Sequence, residues 1–339
     1  MSENQLKDVA IIGAGPVGLF AVFQCGMLGL SSCVIDSLSD IGGQCTALYP
    51  EKPIYDIPGL PNVAAGDLIA NLEAQAAPFA PIYYLGQTVN GLVRDAGAGL
   101  WTLTTSKGQS IQARTVVIAA GGGAFGPNRP PLKDIETYEG TSVFYMVRRR
   151  EDFRGKRVVI AGGGDSAVDW ALALADVAAK VTVVHRRDQF RAAPENIAKL
   201  RALAAAGTVE LAIPFQLHGI FGDKGQISAV EVADLDGRTR TIEADILLPF
   251  FGLAASLGPI ADWGLGIEHH HITVDPATAE TSVPGIYAIG DIVAYSHKLK
   301  LILTGFAEAA QASHAIYHRL NPGKELHMEY STSKGVPGR

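Results

Sequence analysis

The chain has little cysteine: three residues in 339, at Cys25, Cys33 and Cys45. An odd count without framework spacing excludes a disulfide scaffold and predicts reduced thiols in a cytoplasmic setting. Positive charge is not in excess either. With 28 Lys and Arg against 34 Asp and Glu, the formal net charge is −6, which argues against general nucleic-acid binding. No apolar run is long and uninterrupted enough for a transmembrane helix, so no membrane insertion is expected. No apolar N-terminal stretch with a basic flank and a cleavage site precedes the first strand, so no signal peptide is expected. Hydrophobic residues make up 47% of the chain, enough to bury two sizeable cores.

What is present is one glycine signature written twice. The first copy reads Val9-Ala10-Ile11-Ile12-Gly13-Ala14-Gly15-Pro16-Val17-Gly18, and its next apolar run closes at Val34-Ile35-Asp36. The second reads Val158-Val159-Ile160-Ala161-Gly162-Gly163-Gly164-Asp165-Ser166-Ala167 and closes at Val183-Val184-His185-Arg186-Arg187. Gly13 to Asp36 and Gly162 to His185 are equal separations. Each motif follows an apolar run and opens a segment of helical character, the context a dinucleotide fingerprint requires. The first glycine allows a tight turn and the second lets backbone approach a pyrophosphate. The third small residue, Gly18 or Ala167, lets helix and strand pack closely. The helix N-terminus then presents free N–H groups to the phosphates.

The closing residues carry opposite charge. A carboxylate at Asp36 accepts hydrogen bonds from ribose hydroxyls, as in FAD or NAD, and repels a 2′-phosphate. His185, Arg186, Arg187 and Arg191 attract that phosphate, so NADPH is predicted over NADH at the second copy. Two different dinucleotides on one chain imply electron transfer between them.

The pattern around the motifs repeats as well. A helix is predicted near Ala65–Ala76, with strands around Thr88–Arg94, Trp101–Thr105 and Ser110–Arg114, then a buried strand over Thr115–Ala120. After His185 come a helix near Pro194–Ala206, strands around Val209–Ile213, Ile227–Ala233 and Arg238–Ile242, and a buried run from Ile246 to Phe251. The fold class is α/β: two Rossmann-like nucleotide-binding domains, each a parallel sheet with a three-stranded antiparallel cover. The predicted division is 1–121 for the first part of an FAD-binding domain, 122–284 for an inserted NADPH-binding domain, and 285–339 for the rest of the FAD domain. In that last part a strand over Gly285–Asp291 is followed by a helix from about Leu301 to Leu320 and a polar tail.

These motifs, with His185-Arg186-Arg187-Asp188-Gln189-Phe190-Arg191 and Ala288-Ile289-Gly290-Asp291, resemble the low-molecular-weight thioredoxin reductase group of flavoproteins. Thioredoxin reductase carries a Cys-x-x-Cys pair before its second glycine motif. The corresponding stretch here, Val143-Phe144-Tyr145-Met146-Val147-Arg148, has no cysteine, so dithiol chemistry is excluded at this place. Gly42-Gly43-Gln44-Cys45 looks like the start of the redox motif of glutathione-reductase-type enzymes, but the second cysteine position is Pro50. Cys45 therefore has no local partner and reads as a buried inert thiol.

A closer resemblance is to the thioredoxin-reductase-like type of ferredoxin–NADP⁺ reductase. It is carried by the stretch Gly42 to Lys52, by Gly163 to Ala171, and by Ser256-Leu257-Gly258-Pro259-Ile260. The tail Tyr330-Ser331-Thr332-Ser333 is similar to that family's C-terminal extension, which in a homodimer reaches over the flavin. The resemblance implies FAD contacts at Asp36, Gln44, Tyr49, Val89, Phe125, Asp291 and Thr332, beside the glycines Gly13, Gly15 and Gly18. Tyr49 and Tyr330 would stack on opposite faces of the isoalloxazine. NADPH would be held at Gly162, Gly164, Ala167, His185, Arg186, Arg187 and Arg191.

The implied reaction is hydride transfer between NADPH and flavin N5, then one-electron steps through a semiquinone to a ferredoxin, with no acid–base residue of the hydrolase kind. The helix beginning near Leu301 would point its positive end at the pyrimidine part of the flavin. Arg148, Arg149, Arg150 and Arg154, or Lys298 and Lys300, are candidate docking charges for an acidic ferredoxin. Two alternatives stay open: an NADPH-dependent flavin reductase for a quinone or flavodoxin, and a non-catalytic FAD/NADPH redox sensor. The run His269-His270-His271 reads as a polar hairpin, not as a metal site.

Overall fold

The computed structural model describes residues 6–326 and 335–336, with the side chains of 124–127 and 253–255 left aside. The chain forms two compact units, Met1–Phe125 with Ala255–Arg339, and 126–254.

The first unit is built on a parallel sheet. Ile82–Tyr84, Ser32–Ile35, Lys7–Ile12, Ser110–Ile118 and Ile286–Ala288 lie side by side in that order. Their cores are continuous apolar runs because both faces are covered. Alternate residues serve alternate faces. Val9, Ile11, Val34 and Val117 pack on the helices Pro16–Met27 and Ile302–Leu320 through Ala21, Val22, Ala309, Ala312 and Ile316. Ala10, Ile12, Ile35, Val116 and Ile118 face the other way, onto Val89, Trp101, Leu103, Ile260 and Ile272. Trp101–Thr105 and Val89–Arg94 extend the same sheet as an antiparallel ribbon paired with the start of Ser110–Ile118. The two strands expected at 110–114 and 115–120 are thus a single strand.

The same core moves a boundary. Leu257, Ile260, Leu265 and Ile272 are buried in it, and His271–Thr273 pairs in parallel with Val293–Ala294. Residues 255–284 therefore belong to the first unit, whereas the sequence placed the crossing at 284.

In the second unit Val209–Ala212, Lys180–Val184, Arg157–Ala161 and Ile246–Pro249 form a parallel sheet. The helices Asp165–Leu174 and Pro194–Ala205 supply Val168, Ala171 and Leu200 to the core on one face. On the other, Ile227, Val230, Val232 and Ile242 of an antiparallel sheet meet Val159, Ala161, Val184 and Leu247. That cover consists of Gln216–Asp223, Gln226–Ala233 and Thr239–Glu243. Val209–Ala212, expected in the cover, is instead the edge of the parallel sheet. The strand that replaces it, Gln216–Asp223, has its register broken twice, between Leu217 and Gly219 and between Phe221 and Gly222. Such bulges erase the alternation by which a strand is recognised. Among the described residues, no helix is long and apolar enough to cross a membrane.

Candidate functional site

A cleft opens in the first unit where the strand Lys7–Ile12 ends. The chain turns at Gly13 with φ +113°, and a Cβ there would stand 2.2 Å from the Ala119 carbonyl oxygen. A Cβ on Gly18 would stand 2.0 Å from the Gly13 carbonyl oxygen, so this position lets the helix sit tightly on the turn. Gly15 differs from both: a Cβ there would meet nothing within 4 Å, and the residue lines the cleft. The loop is closed on its protein side and open on its cleft side.

Asp36 supports this loop from the end of the neighbouring strand. Its Oδ2 accepts the Ala14 N–H at 2.6 Å and its Oδ1 accepts the Leu38 N–H at 2.8 Å. Burial raises the carboxyl above the usual range, and these two amides act in the opposite sense. The Gly42–Gly43 turn forms the next wall. The Gly42 N–H donates to the Ala14 carbonyl at 2.8 Å, and a Cβ on Gly43, at φ +57°, would come within 3.1 Å of Gly15 Cα. This turn opens the short helix Gln44–Ala47 and sets Gln44, Cys45 and Tyr49 on the cleft. The Cys45 thiol lies 3.9 Å from the Tyr49 hydroxyl, and burial pushes both pKa values up. A thiolate is disfavoured at Cys45, which fits an inert residue.

Val89 and Asp291 line the same cleft. Of the residues expected to hold FAD, Gly13, Gly15, Asp36, Gln44, Tyr49, Val89 and Asp291 are brought together, with Gly18 directly behind Gly13. Phe125 lies in the strand Ala124–Pro127. Tyr330 and Thr332 lie outside the described residues. The cleft also holds residues that no motif marked: Gln87, Thr88, Trp263 and Ile302. Gln87 is buried, its Oε1 accepts the Thr105 hydroxyl at 2.8 Å, and its own N–H donates to the Asp36 carbonyl at 2.9 Å.

The second glycine loop has the same build. Gly162 turns at φ +154°, where a Cβ would stand 2.6 Å from the Phe250 carbonyl oxygen and 3.1 Å from Cβ of the buried Ala167. Gly164 caps the helix Asp165–Leu174 and has open space beside it, with only the Arg191 carbonyl at 3.9 Å. The His185 ring lies over Gly163, so close that a Cβ there would be 2.2 Å from it; it stacks against the Phe190 ring at 5.1 Å, and its Nε2 lies 3.2 Å from the Gln189 carbonyl oxygen. Burial lowers the pKa of this imidazole, and Arg186, Arg187 and Arg191 lower it further. The Arg191 N–H donates to the Gly163 carbonyl at 2.6 Å, which ties the 185–191 loop onto the glycine loop. Arg186, Arg187 and Arg191 are exposed, and among the described residues none is in an ion pair. The acid between them, Asp188, is taken by Arg201 at 3.0 Å. Three free guanidinium groups beside an open helix N-terminus suit a ligand with several phosphates.

Residues 7–316 match the family described as pyridine nucleotide-disulphide oxidoreductase. The chain belongs to the pyridine nucleotide-disulphide oxidoreductase family. It is 61% identical over 337 residues to a protein of Paramagnetospirillum magneticum named ferredoxin–NADP reductase, covering 99% of each chain. A protein of Rhodospirillum rubrum with the same name is 61% identical over 333 residues, covering 98% of this chain and 96% of the relative. Among solved structures, the thioredoxin reductase of T. acidophilum superposes with a TM-score of 0.77 at 23% identity, covering 93% of this chain and 99% of that one. At that identity the likeness is one of fold.

Within this family the chain carries no paired cysteines among the described residues. Cys25, Cys33 and Cys45 are free and buried, and no cysteine occurs in the second unit. Val143 and Val147, in the stretch before the second glycine motif, are core residues. The docking charges also need revision. Lys298 is not a surface charge: its side chain is 6% exposed and paired with the buried Glu308. Arg150 and Arg154 are paired, with Glu151 and Asp176 and with Glu151 respectively. Arg148 and Arg149 are exposed. His269 and His270, at φ +47° and +63°, form the two-residue turn of the hairpin between Ile267–Glu268 and His271–Thr273, and the His271 ring meets Lys300 at 2.8 Å.

Proposed function

We propose that the chain is a flavoprotein reductase that moves electrons between NADPH and a ferredoxin. The observation that carries this reading is the pair of glycine loops of one build, one closed by a buried carboxylate and the other by unpaired arginines. The name shared by relatives at 61% identity supports the ferredoxin as acceptor.

FAD fits the first cleft. Gly15 leaves space for its pyrophosphate, Asp36 retains lone pairs for ribose hydroxyls, and Asp291 faces its polar chain. Gln44 offers an amide, Val89 an apolar wall, and Tyr49 a ring to lie against the isoalloxazine. Phe125, Tyr330 and Thr332 keep the FAD roles that the resemblance gives them, the last two from the second copy of a homodimer. NADPH fits the second loop, with its pyrophosphate at Gly162–Ala167 and its 2′-phosphate at Arg186, Arg187 and Arg191. The bound flavin supplies the one chemistry the side chains lack: it takes two electrons from a nicotinamide and releases them singly to an iron–sulfur carrier. The protein binds, orients and shields. Arg148 and Arg149 stay available to steer an acidic carrier.

The test is anaerobic stopped-flow of the FAD-loaded protein with NADPH and with NADH, followed by oxidised ferredoxin. Fast bleaching by NADPH and prompt ferredoxin reduction are expected. Bleaching without transfer would redirect the acceptor to a quinone or flavodoxin. Absence of bleaching would favour a redox sensor.

A further inference from the structure

Glu308 has no part in the reading above, yet its carboxylate is the most heavily engaged buried acid of the first unit. The residue is 3% exposed, on the inner side of the helix Ile302–Leu320. Its Oε2 accepts the Gly290 N–H at 2.7 Å. Its Oε1 accepts the Tyr295 hydroxyl at 2.6 Å and the Lys298 ammonium. All three donors come from one short segment, residues 290–298, which follows the strand Ile286–Ala288, contains the short strand Val293–Ala294 and brings Gly290 and Asp291 to the cleft. The helix is fixed at the same place. A Cβ on Gly305 would stand 2.4 Å from Val17 Cγ2 and 3.4 Å from Gly290 Cα.

The Lys298 and Glu308 side chains are 6% and 4% exposed. Removing two charges from water is costly, and apolar side chains of similar volume often serve stability as well or better. Stability is therefore a poor explanation for this pair. It does two other things here. It gathers this segment onto a helix at three points, and it places a carboxylate one hydrogen bond behind the Gly290 wall of the cleft, with an ammonium paired to it.

We propose that Glu308 is a positioning residue for the flavin: it fixes the Gly290–Asp291 turn, and its balance with Lys298 tunes the flavin's reduction potential. This rests on the assignment of FAD to the first cleft. The reduced flavin carries more negative charge than the oxidised form. Glu308→Gln leaves the Lys298 ammonium unbalanced, which favours the reduced form. Lys298→Met leaves the Glu308 carboxylate unbalanced, which disfavours it. The double variant restores neutrality.

The experiment is a reductive titration of the full-length, FAD-loaded protein against a reference dye at fixed pH, with FAD affinity and thermal unfolding measured on the same samples. The expected midpoint moves positive in E308Q, negative in K298M, and returns near the wild-type value in the double variant. The FAD dissociation constant rises about tenfold in E308Q, as for one lost hydrogen bond to a charged group. A role in folding alone lowers the unfolding temperature without moving the midpoint in opposite directions. Midpoints unchanged in both single variants, or shifted in the same direction, overturn the proposal. If E308Q does not fold, K298M decides, and a wild-type midpoint there overturns it. A wild-type chain that takes up no FAD overturns the proposed function and this inference with it, an outcome distinct from an FAD-loaded chain whose variants do not shift.

Discussion

Replacing Gly15 by alanine separates the space a cofactor needs from the space the fold needs. Gly15 caps the first helix at φ −69° and ψ 179°, a conformation open to any L-residue, and its added Cβ would meet nothing within 4 Å. Removing a glycine at such a site restricts the unfolded chain and stabilises by about 0.4–1 kcal/mol. Alanine is the poorer helix cap, which costs about 0.5–1 kcal/mol. The two effects offset. With 1 kcal/mol worth roughly 2–4 °C in a domain of this size, the cofactor-free protein should melt within about 2 °C of wild type. Gly13→Ala and Gly18→Ala are the contrast. Their Cβ atoms would stand 2.2 Å and 2.0 Å from carbonyl oxygens, and both should destabilise by about 1–3 kcal/mol or more. On the ligand side, the methyl group of Gly15→Ala fills the approach to the loop backbone. Losing two charge-assisted hydrogen bonds at about 1.5–3 kcal/mol each weakens binding roughly 100-fold or more. Thermal unfolding of the cofactor-free protein and fluorescence-quenching titration with FAD measure the two sides separately. A Gly15→Ala protein that binds FAD as tightly as wild type, or is destabilised as much as Gly13→Ala, would refute the reasoning.

The other expectations concern specificity, thiols and acid stability. Arg186→Ala and Arg187→Ala should each raise the KM for NADPH about tenfold or more and leave that for NADH nearly unchanged, which steady-state bleaching assays with both nucleotides would check. The thiols should resist DTNB in the folded protein and react fully in denaturant, since burial pushes Cys25 to about 11 and Cys33 to about 12 and also raises Cys45. Rapid native labelling would contradict the packing. Hydrogen bonding from Arg157 holds the Asp245 carboxyl below the usual range. A depressed folded pKa adds stability above the unfolded value of about 3.9, and that stability is lost as the pH falls through the lower folded value. Asp245 is 33% exposed, so Asp245→Asn should cost less than about 1 kcal/mol at neutral pH. Its melting curve should converge on wild type in strongly acidic buffer, and a gap that persists there would assign the effect to something other than charge.

The parts legible in the sequence are those with local causes. Val9–Ile12, Val158–Ala161 and Ile246–Leu248 are buried on both faces and read as strands without their neighbours. The glycine loops are legible because turn, clash and helix start fall within a few residues of each other. Ser110–Ile118 misled because it changes character midway. Its first half alternates as part of the antiparallel ribbon, and its second half is continuously buried between parallel strands. The pieces Ile267–Glu268 and His271–Thr273 are too short to carry a pattern, and their allegiance is set by pairing with Val293–Ala294. At the site, Asp36 stood out by its place after the second strand. Gln87 and Trp263 reach the cleft through the fold of distant segments and leave no local mark. The Glu308–Lys298 pair was hidden for the same reason, and Lys298 was misread as a surface charge.

The two loops share a build but not a way of using their closing residue, and this limits how far one could be turned into the other. Asp36 points into its own loop, with both carboxylate oxygens engaged by the Ala14 and Leu38 amides and the side chain almost fully buried. It shapes the loop before it meets any ligand. A cation in its place would face two buried N–H donors with no acceptor to offer them, an arrangement that costs stability before it alters preference. In the second unit the shaping is done by a ring and a backbone: His185 packs over Gly163 and the Arg191 N–H bonds to its carbonyl. The side chains of Arg186, Arg187 and Arg191 are free of that work and exposed. Charge at the second loop can change without disturbing the fold, whereas at the first loop the charge is part of the fold. On the proposed assignment of NADPH to the second loop, its 2′-phosphate selectivity is therefore expected to be the more alterable of the two specificities.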